Sequence, residues 1–146
     1  MLLTIPLLAA LQAAATPGSQ PAAPPAPADW RTRPITAGTW SWRTTPEASE
    51  ALFSDSRGVQ LVIRCARATR RVSFSRTGAL PTVPIRIATT SSERQLAPGH
   101  TVLASDPLLD AIAFSRGRLW VEARGSMPLV LRSAAEPARA VEDCRS

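Results

Sequence analysis

From residue 39 onward, apolar and polar positions alternate in short runs broken by turn residues, the two-residue period of half-buried β-strands. Thr39–Arg43 (TWSWR) sets Trp40 and Trp42 on one face, and Glu50–Ser54 follows as a second short strand. Asp55-Ser56-Arg57-Gly58 reads as a turn. In Val59–Cys65 (VQLVIRC), Val59, Leu61, Ile63 and Cys65 share a face, while Gln60 and Arg64 lie opposite with Val62. Ala66–Thr69 forms a loop, and Arg70–Arg76 is the returning strand of a hairpin. Val83–Thr90 is a further strand, in which Pro84 cannot donate to a ladder and so marks an edge or a late start. Glu93–His100 reads as a polar loop.

Asp106–Arg116 (DPLLDAIAFSR) carries the clearest helical signature. Asp106 suits the N-cap, Pro107 the first helical position and Gly117 the residue after the end. Arg116 would complement the dipole in the last turn. Arg118–Arg124 alternates again, with Leu119, Val121 and Ala123 on one face and Arg118, Trp120, Glu122 and Arg124 on the other. Pro128–Arg132 is its hairpin partner. Ala134–Cys144 closes the chain as a short helix, on which Glu136, Arg139 and Asp143 are spaced to pair. The predicted fold is α+β and mainly β. It is an antiparallel sheet or small sandwich of six to seven short strands, with one middle helix and a short C-terminal helix.

The first 28 residues break this pattern. Residues 2–15 are uncharged and mostly apolar, a run of 14 that is short for a membrane span and suited to the apolar region of a signal peptide. Ala13-Ala14-Ala15 offers a small-residue cleavage site. Residues 16–28 (TPGSQPAAPPAPA) form a Pro/Ala-rich linker that cannot bury enough surface to offset its ordering entropy. The expected organisation is a signal peptide at 1–15, a linker at 16–28 and one β-rich domain at 29–146. The expected location is periplasmic or secreted, with no transmembrane anchor in the mature chain.

Charge sharpens the picture less than its size suggests. The 146 residues carry a formal net charge of +6, and all 17 basic side chains are arginine. Arginine without lysine reads as compositional bias before it reads as phosphate recognition. From Gly58 to Ser92 there are six arginines and no acid. Within that window Arg67, Arg70, Arg71 and Arg76 form the candidate anion-binding patch, for a lipid headgroup, a polysaccharide or an acidic protein. The competing interpretation is a solvated sheet face.

Candidate chemistry is sparse. Cys65 and Cys144 in an exported chain read as one disulfide. A metal pair would need more ligands than the single histidine, His100, supplies, and a Cys nucleophile would need a reduced thiolate. No cofactor or metal is expected. Trp40, Trp42 and Trp120 could stack bases or sugars, but no nucleic-acid motif accompanies them, and core packing is the simpler role. His100 with Ser105, Asp106 or Asp110 could suggest a hydrolase, yet no nucleophile elbow is present and Asp106 already serves as a cap.

The segments DPLLDAIAFSRGRLWVE and AVEDCRS, with the Trp-rich opening (Trp30, Trp40, Trp42) and the central LVIRCARATRRV, resemble a group of small, uncharacterised exported proteins of sphingomonad-type alphaproteobacteria. That resemblance implies export and a Cys65–Cys144 pairing, and it carries no activity. The expected function is a non-enzymatic periplasmic or envelope binding or accessory module, whose partner is an envelope protein or an anionic surface. The alternatives are anion binding through the arginine patch and a hydrolase centred on His100.

Overall fold

The computed structural model describes Pro27 and residues 29–146. The run expected as a signal peptide, and all of the linker except Pro27, lie outside the described residues. After a single 3-10 turn at Trp30–Thr32 come nine strands and two helices. They are β1 (Thr39–Thr44), β2 (Ala48–Asp55), β3 (Gly58–Ala66), β4 (Arg71–Arg76), β5 (Ile85–Ala88), β6 (Glu93–Leu96), β7 (Thr101–Leu103), α1 (Pro107–Ala113), β8 (Arg118–Ala123), β9 (Leu129–Arg132) and α2 (Ala135–Arg145).

Strands β1 to β4 form a meander to which β7 adds, in the order β1-β2-β3-β4-β7. The second sheet has the order β6-β5-β8-β9. Every pairing is antiparallel. The mainly-β antiparallel class with one internal and one C-terminal helix is therefore the observed one. The two strands that the alternation does not mark, β6 and β7, lie in or beside the stretch expected as a polar loop. Glu93-Arg94-Gln95-Leu96 has no apolar period, and it becomes a strand because β5 offers it a free edge.

Cross-strand register aligns Trp42, Ala51, Ile63 and Phe74 in one row, and Ser49, Cys65, Val72 and Val102 in the next. This is the inner face of the larger sheet. It joins Ile85, Ile87, Leu119, Val121, Leu129 and Leu131 of the second sheet, and Leu108, Leu109, Ile112, Ala140 and Val141 of the helices, in one core cluster. Complete burial of aliphatic side chains such as Ile63 or Leu109 stabilises by roughly 1.5–3 kcal/mol each. A smaller cluster of Trp30, Ala88, Trp120 and Val130 lies on the outer face of the second sheet. The Arg118–Trp120–Glu122 face is thus covered by the N-terminal segment. Thr36 N–H donates to the Val130 carbonyl at 2.8 Å, and Val130 N–H donates to the Thr36 hydroxyl at 3.0 Å.

Helix α1 starts as the sequence predicts, with the Asp106 carboxylate accepting from Leu108 N–H at 2.9 Å. It ends sooner than predicted. Phe114 is the C-cap, at φ −100° and ψ 10°, and Arg116 lies outside the last turn. Gly117 is not a left-handed stop. It lies near β5's end, where an added Cβ would stand 3.2 Å from Thr90 Cγ2. The start of β8, held between β5 and β9, sets where the helix must stop. On α2 the expected pairing along the helix gives way to contacts with the sheet. The Ser49 hydroxyl donates to Asp143 at 2.6 Å, and the Arg139 guanidinium stands 5.7 Å from the Trp42 ring centre.

A disulfide joins Cys65 of β3 to Cys144 of α2, with Cα atoms 5.5 Å apart and a separation of 79 positions in sequence. In the chain-entropy relation a loop of that length corresponds to about 4–5 kcal/mol. A Cys65→Ala/Cys144→Ala variant should lose about 3–5 kcal/mol in denaturant unfolding. Intact mass should show the wild-type chain two hydrogens lighter before reduction than after, and two free thiols in the native chain would contradict the bond.

Candidate functional site

The basic surface is shaped by where the acids go. Asp29 pairs with Arg33, Asp55 with Arg57, Asp106 with Arg94, Asp110 with Arg145 and Asp143 with Arg67. Arg86 lies between Glu93 at 3.7 Å and Glu122 at 3.2 Å. Glu50 takes two partners, Arg43 from β1 and Arg64 from β3, because the three residues are cross-strand neighbours on the outer face of the sheet. Burial pushes the Glu50 carboxyl up, but hydrogen bonds and charge from Arg64 and Arg43 outweigh it and hold the group below the usual carboxylate range. At Asp106 the Arg94 hydrogen bond is the largest influence. With the Leu108 N–H and the Arg94 charge it outweighs burial and lowers that carboxyl too.

The four candidate arginines do not share one surface. Arg76 is 6% exposed. Its Nη1 donates to the Gln60 carbonyl (2.9 Å), Gln60 Oε1 (3.0 Å) and the Thr77 carbonyl (2.9 Å), and its Nη2 donates to the Met127 carbonyl at 2.7 Å. Burial lowers its pKa, as expected for a cation held by neutral acceptors. Arg67 turns toward α2, with Nη2 at 2.7 Å from the Thr44 hydroxyl and 3.5 Å from Asp143. Arg70 and Arg71 are exposed neighbours where the β3–β4 loop enters β4.

Arg70 has a feature that sequence alone does not reveal. Its φ is +49°, in the left-handed region that favours glycine. Its N–H donates to the Arg67 carbonyl and its carbonyl accepts from Ala104 N–H at 2.9 Å, so the backbone is pinned there. Beside it lies a groove of about 550 Å³ whose lining includes Thr69, Arg70, Leu103, Asp110, Cys144 and Arg145. Leu103, 56% exposed, is the cross-strand partner of Arg71. Leu103 and Arg145 were not legible as site residues, because β7 and the end of α2 reach this corner only through tertiary pairing.

The residues considered for hydrolysis are not assembled for it. His100 is buried, and its Nε2 faces the Val83 carbonyl. Asp106 is engaged by Arg94 and Leu108 N–H, and Asp110 by Arg145. Trp120 is buried against Trp30 at a ring-centre distance of 6.4 Å, and Trp40 meets Phe53 edge-on at 5.6 Å. The three tryptophans therefore form no shared stacking platform. Among the described residues no group of three or more His, Cys, Asp or Glu is placed to hold a metal ion. No helix among them is long and apolar enough to cross a membrane.

Comparison with family models, with curated proteins and with solved structures finds no match to this chain.

Two measurements follow from this geometry. Arg76→Met should destabilise by about 3 kcal/mol, since several buried carbonyls lose a charged donor. It should leave polyanion affinity of the folded protein unchanged, as titration of the variant below its unfolding transition would show. Glu50 and Asp106 titrate lower when folded than when unfolded. The stability they confer is therefore complete above the unfolded carboxylate range and is lost as pH falls through their lowered folded values. Melting temperature should hold from neutrality to about pH 5 and decline below roughly pH 4. Asp106→Asn should shrink that decline and cost about 1 kcal/mol at neutral pH.

Proposed function

We propose that the chain is an exported, non-enzymatic binding or accessory module of the periplasm or envelope, and that it engages an anionic partner through Arg70 and Arg71. The observation that carries this is Arg70 itself. An exposed arginine stands at a left-handed turn position where glycine would be less strained, next to a second exposed arginine. Left-handed φ costs an ordinary residue roughly 1–2 kcal/mol, and such strain at an exposed side chain points to use of that side chain. Neither guanidinium belongs to any of the ion pairs that occupy the neighbouring arginines. Arg145 adds no free charge, because Asp110 neutralises it. The adjoining groove and exposed Leu103 give an anionic ligand an apolar contact beside the cations.

The apolar opening run and the Pro/Ala-rich linker support export, and a disulfide suits an oxidising compartment. A scaffold stapled by a cross-link and a fixed turn can present two cations with little ordering cost on binding.

Binding to a soluble polyanion such as heparin should be measurable and should weaken steeply with added salt. Arg70→Glu/Arg71→Glu should reduce it at least tenfold, at about 1 kcal/mol for each cation removed and more for reversal. Arg70→Gly should weaken binding while leaving unfolding stability unchanged or raised by up to about 1 kcal/mol. Unchanged affinity in both variants would refute the assignment.

A further inference from the structure

At the opposite end of β4, about 17 Å from Arg71 by strand rise, three connections converge. They are the β2–β3 turn with the start of β3, the β4–β5 connection and the β8–β9 connection. Thr77 joins the first two, with its N–H donating to the Gln60 carbonyl at 3.0 Å and its hydroxyl to the Val59 carbonyl at 2.6 Å. Buried Arg76 ties in the third through the Met127 carbonyl. Gly78 and Gly125, at φ +83° and +87°, come so close that a Cβ on Gly125 would stand 3.5 Å from the Gly78 carbonyl oxygen. The backbone at this end is therefore fixed.

Each connection nonetheless exposes one large apolar side chain: Val59 (39%), Leu80 (64%) and Met127 (69%). Single exposed apolar residues are ordinary, but three on connections that meet at one end form a contact surface. The free charge there is positive: Asp55 and Arg57 neutralise each other at 2.7 Å, which leaves exposed Arg124. Arg57 and Arg124 are exposed, and residues 56–59, 77–84 and 124–128 contain no acid. The acid that begins this end, Asp55, is engaged by Arg57 and Gln60.

We propose that this tip docks on an anionic lipid bilayer. Val59, Leu80 and Met127 enter the boundary between headgroups and acyl chains, and Arg124 meets a lipid phosphate. The charge pattern decides between occupants. A second copy would set the free Arg124 against its own like, which electrostatics opposes. A bilayer offers apolar depth and negative charge together. The tip is separate from the Arg70–Arg71 corner and does not depend on it.

The test is flotation of the full chain with phosphatidylcholine vesicles, with and without phosphatidylglycerol. The wild type should float with the anionic vesicles and far less with phosphatidylcholine alone. Leu80→Ser/Met127→Ser should lower partitioning at least tenfold, and Arg124→Glu should lower it severalfold. Arg70→Glu/Arg71→Glu should lower it less than either tip variant does. Leu80→Trp should strengthen partitioning, which supplies a gain-of-binding check should the serine variant melt early. Absence of wild-type flotation, or equal flotation of the tip variants, overturns the proposal. Loss in the Arg70/Arg71 variant alone moves membrane contact to the other end and also overturns it. So does a wild-type dimer by light scattering that the serine variant converts to monomer, or binding to an acidic protein without vesicle binding.

Discussion

The structure depends on α2 being held across the inner face of the larger sheet. That face displays Ala51, Ile63, Cys65 and Val72, all buried. The helix that helps to cover them is not strongly apolar, since it contributes only Pro137, Ala140, Val141 and Cys144 to the interior. Its position is secured by specific links instead. The disulfide fixes its C-terminal turn to β3, Asp143 accepts from Ser49 of β2, and Arg139 stacks toward Trp42 of β1. Three successive strands are thereby tied to one helix. In a domain of this size, cross-links of this kind offset a modest core.

The same closure organises the charges. Most acids are matched with arginines on neighbouring strands or helices, so the basic excess is not spread evenly. Arg76 is withdrawn into the interior as a donor to carbonyls, Arg67 faces α2, and Arg139 lies against a ring. Of the exposed arginines outside those ion pairs, Arg70 and Arg71 stand at one end of β4 and Arg124 about the other, while Arg116 and Arg132 lie away from both. A basic composition becomes, through folding, two differently built surfaces. One is a strained turn beside a groove, and the other is a rigid apolar tip.

Much of the fold was legible because burial on one face imposes a period. VQLVIRC and RLWVEA alternate since one face of each strand meets the core, and DPL caps a helix by local chemistry that needs no distant partner. The Cys65–Cys144 link was legible because two cysteines allow one pairing. The candidate site was legible only in part. Arg70 and Arg71 are adjacent in sequence, whereas Arg76 shares their strand but alternates onto the inner face, where Val72 and Phe74 also point. Period-two reasoning applied to that strand separates Arg71 from Arg76. Nothing local, however, separates Arg67, whose direction is set by Asp143 on a helix that arrives 76 residues later in the chain.

By itself, the sequence determined the antiparallel class, seven of the nine strands with both helices, the cross-link and the density of arginine around the β3–β4 hairpin. These follow from short-range period, capping and composition. Tertiary structure alone decided that ERQL would be a strand, that Phe114 rather than Gly117 would end α1, and that Trp120 would be covered by the N-terminal segment. It also decided which arginines stay free. The physical reason is common to all of these. A backbone edge, a helix end or a guanidinium is satisfied by whatever partner the fold places within hydrogen-bonding distance, and those partners lie far away along the chain.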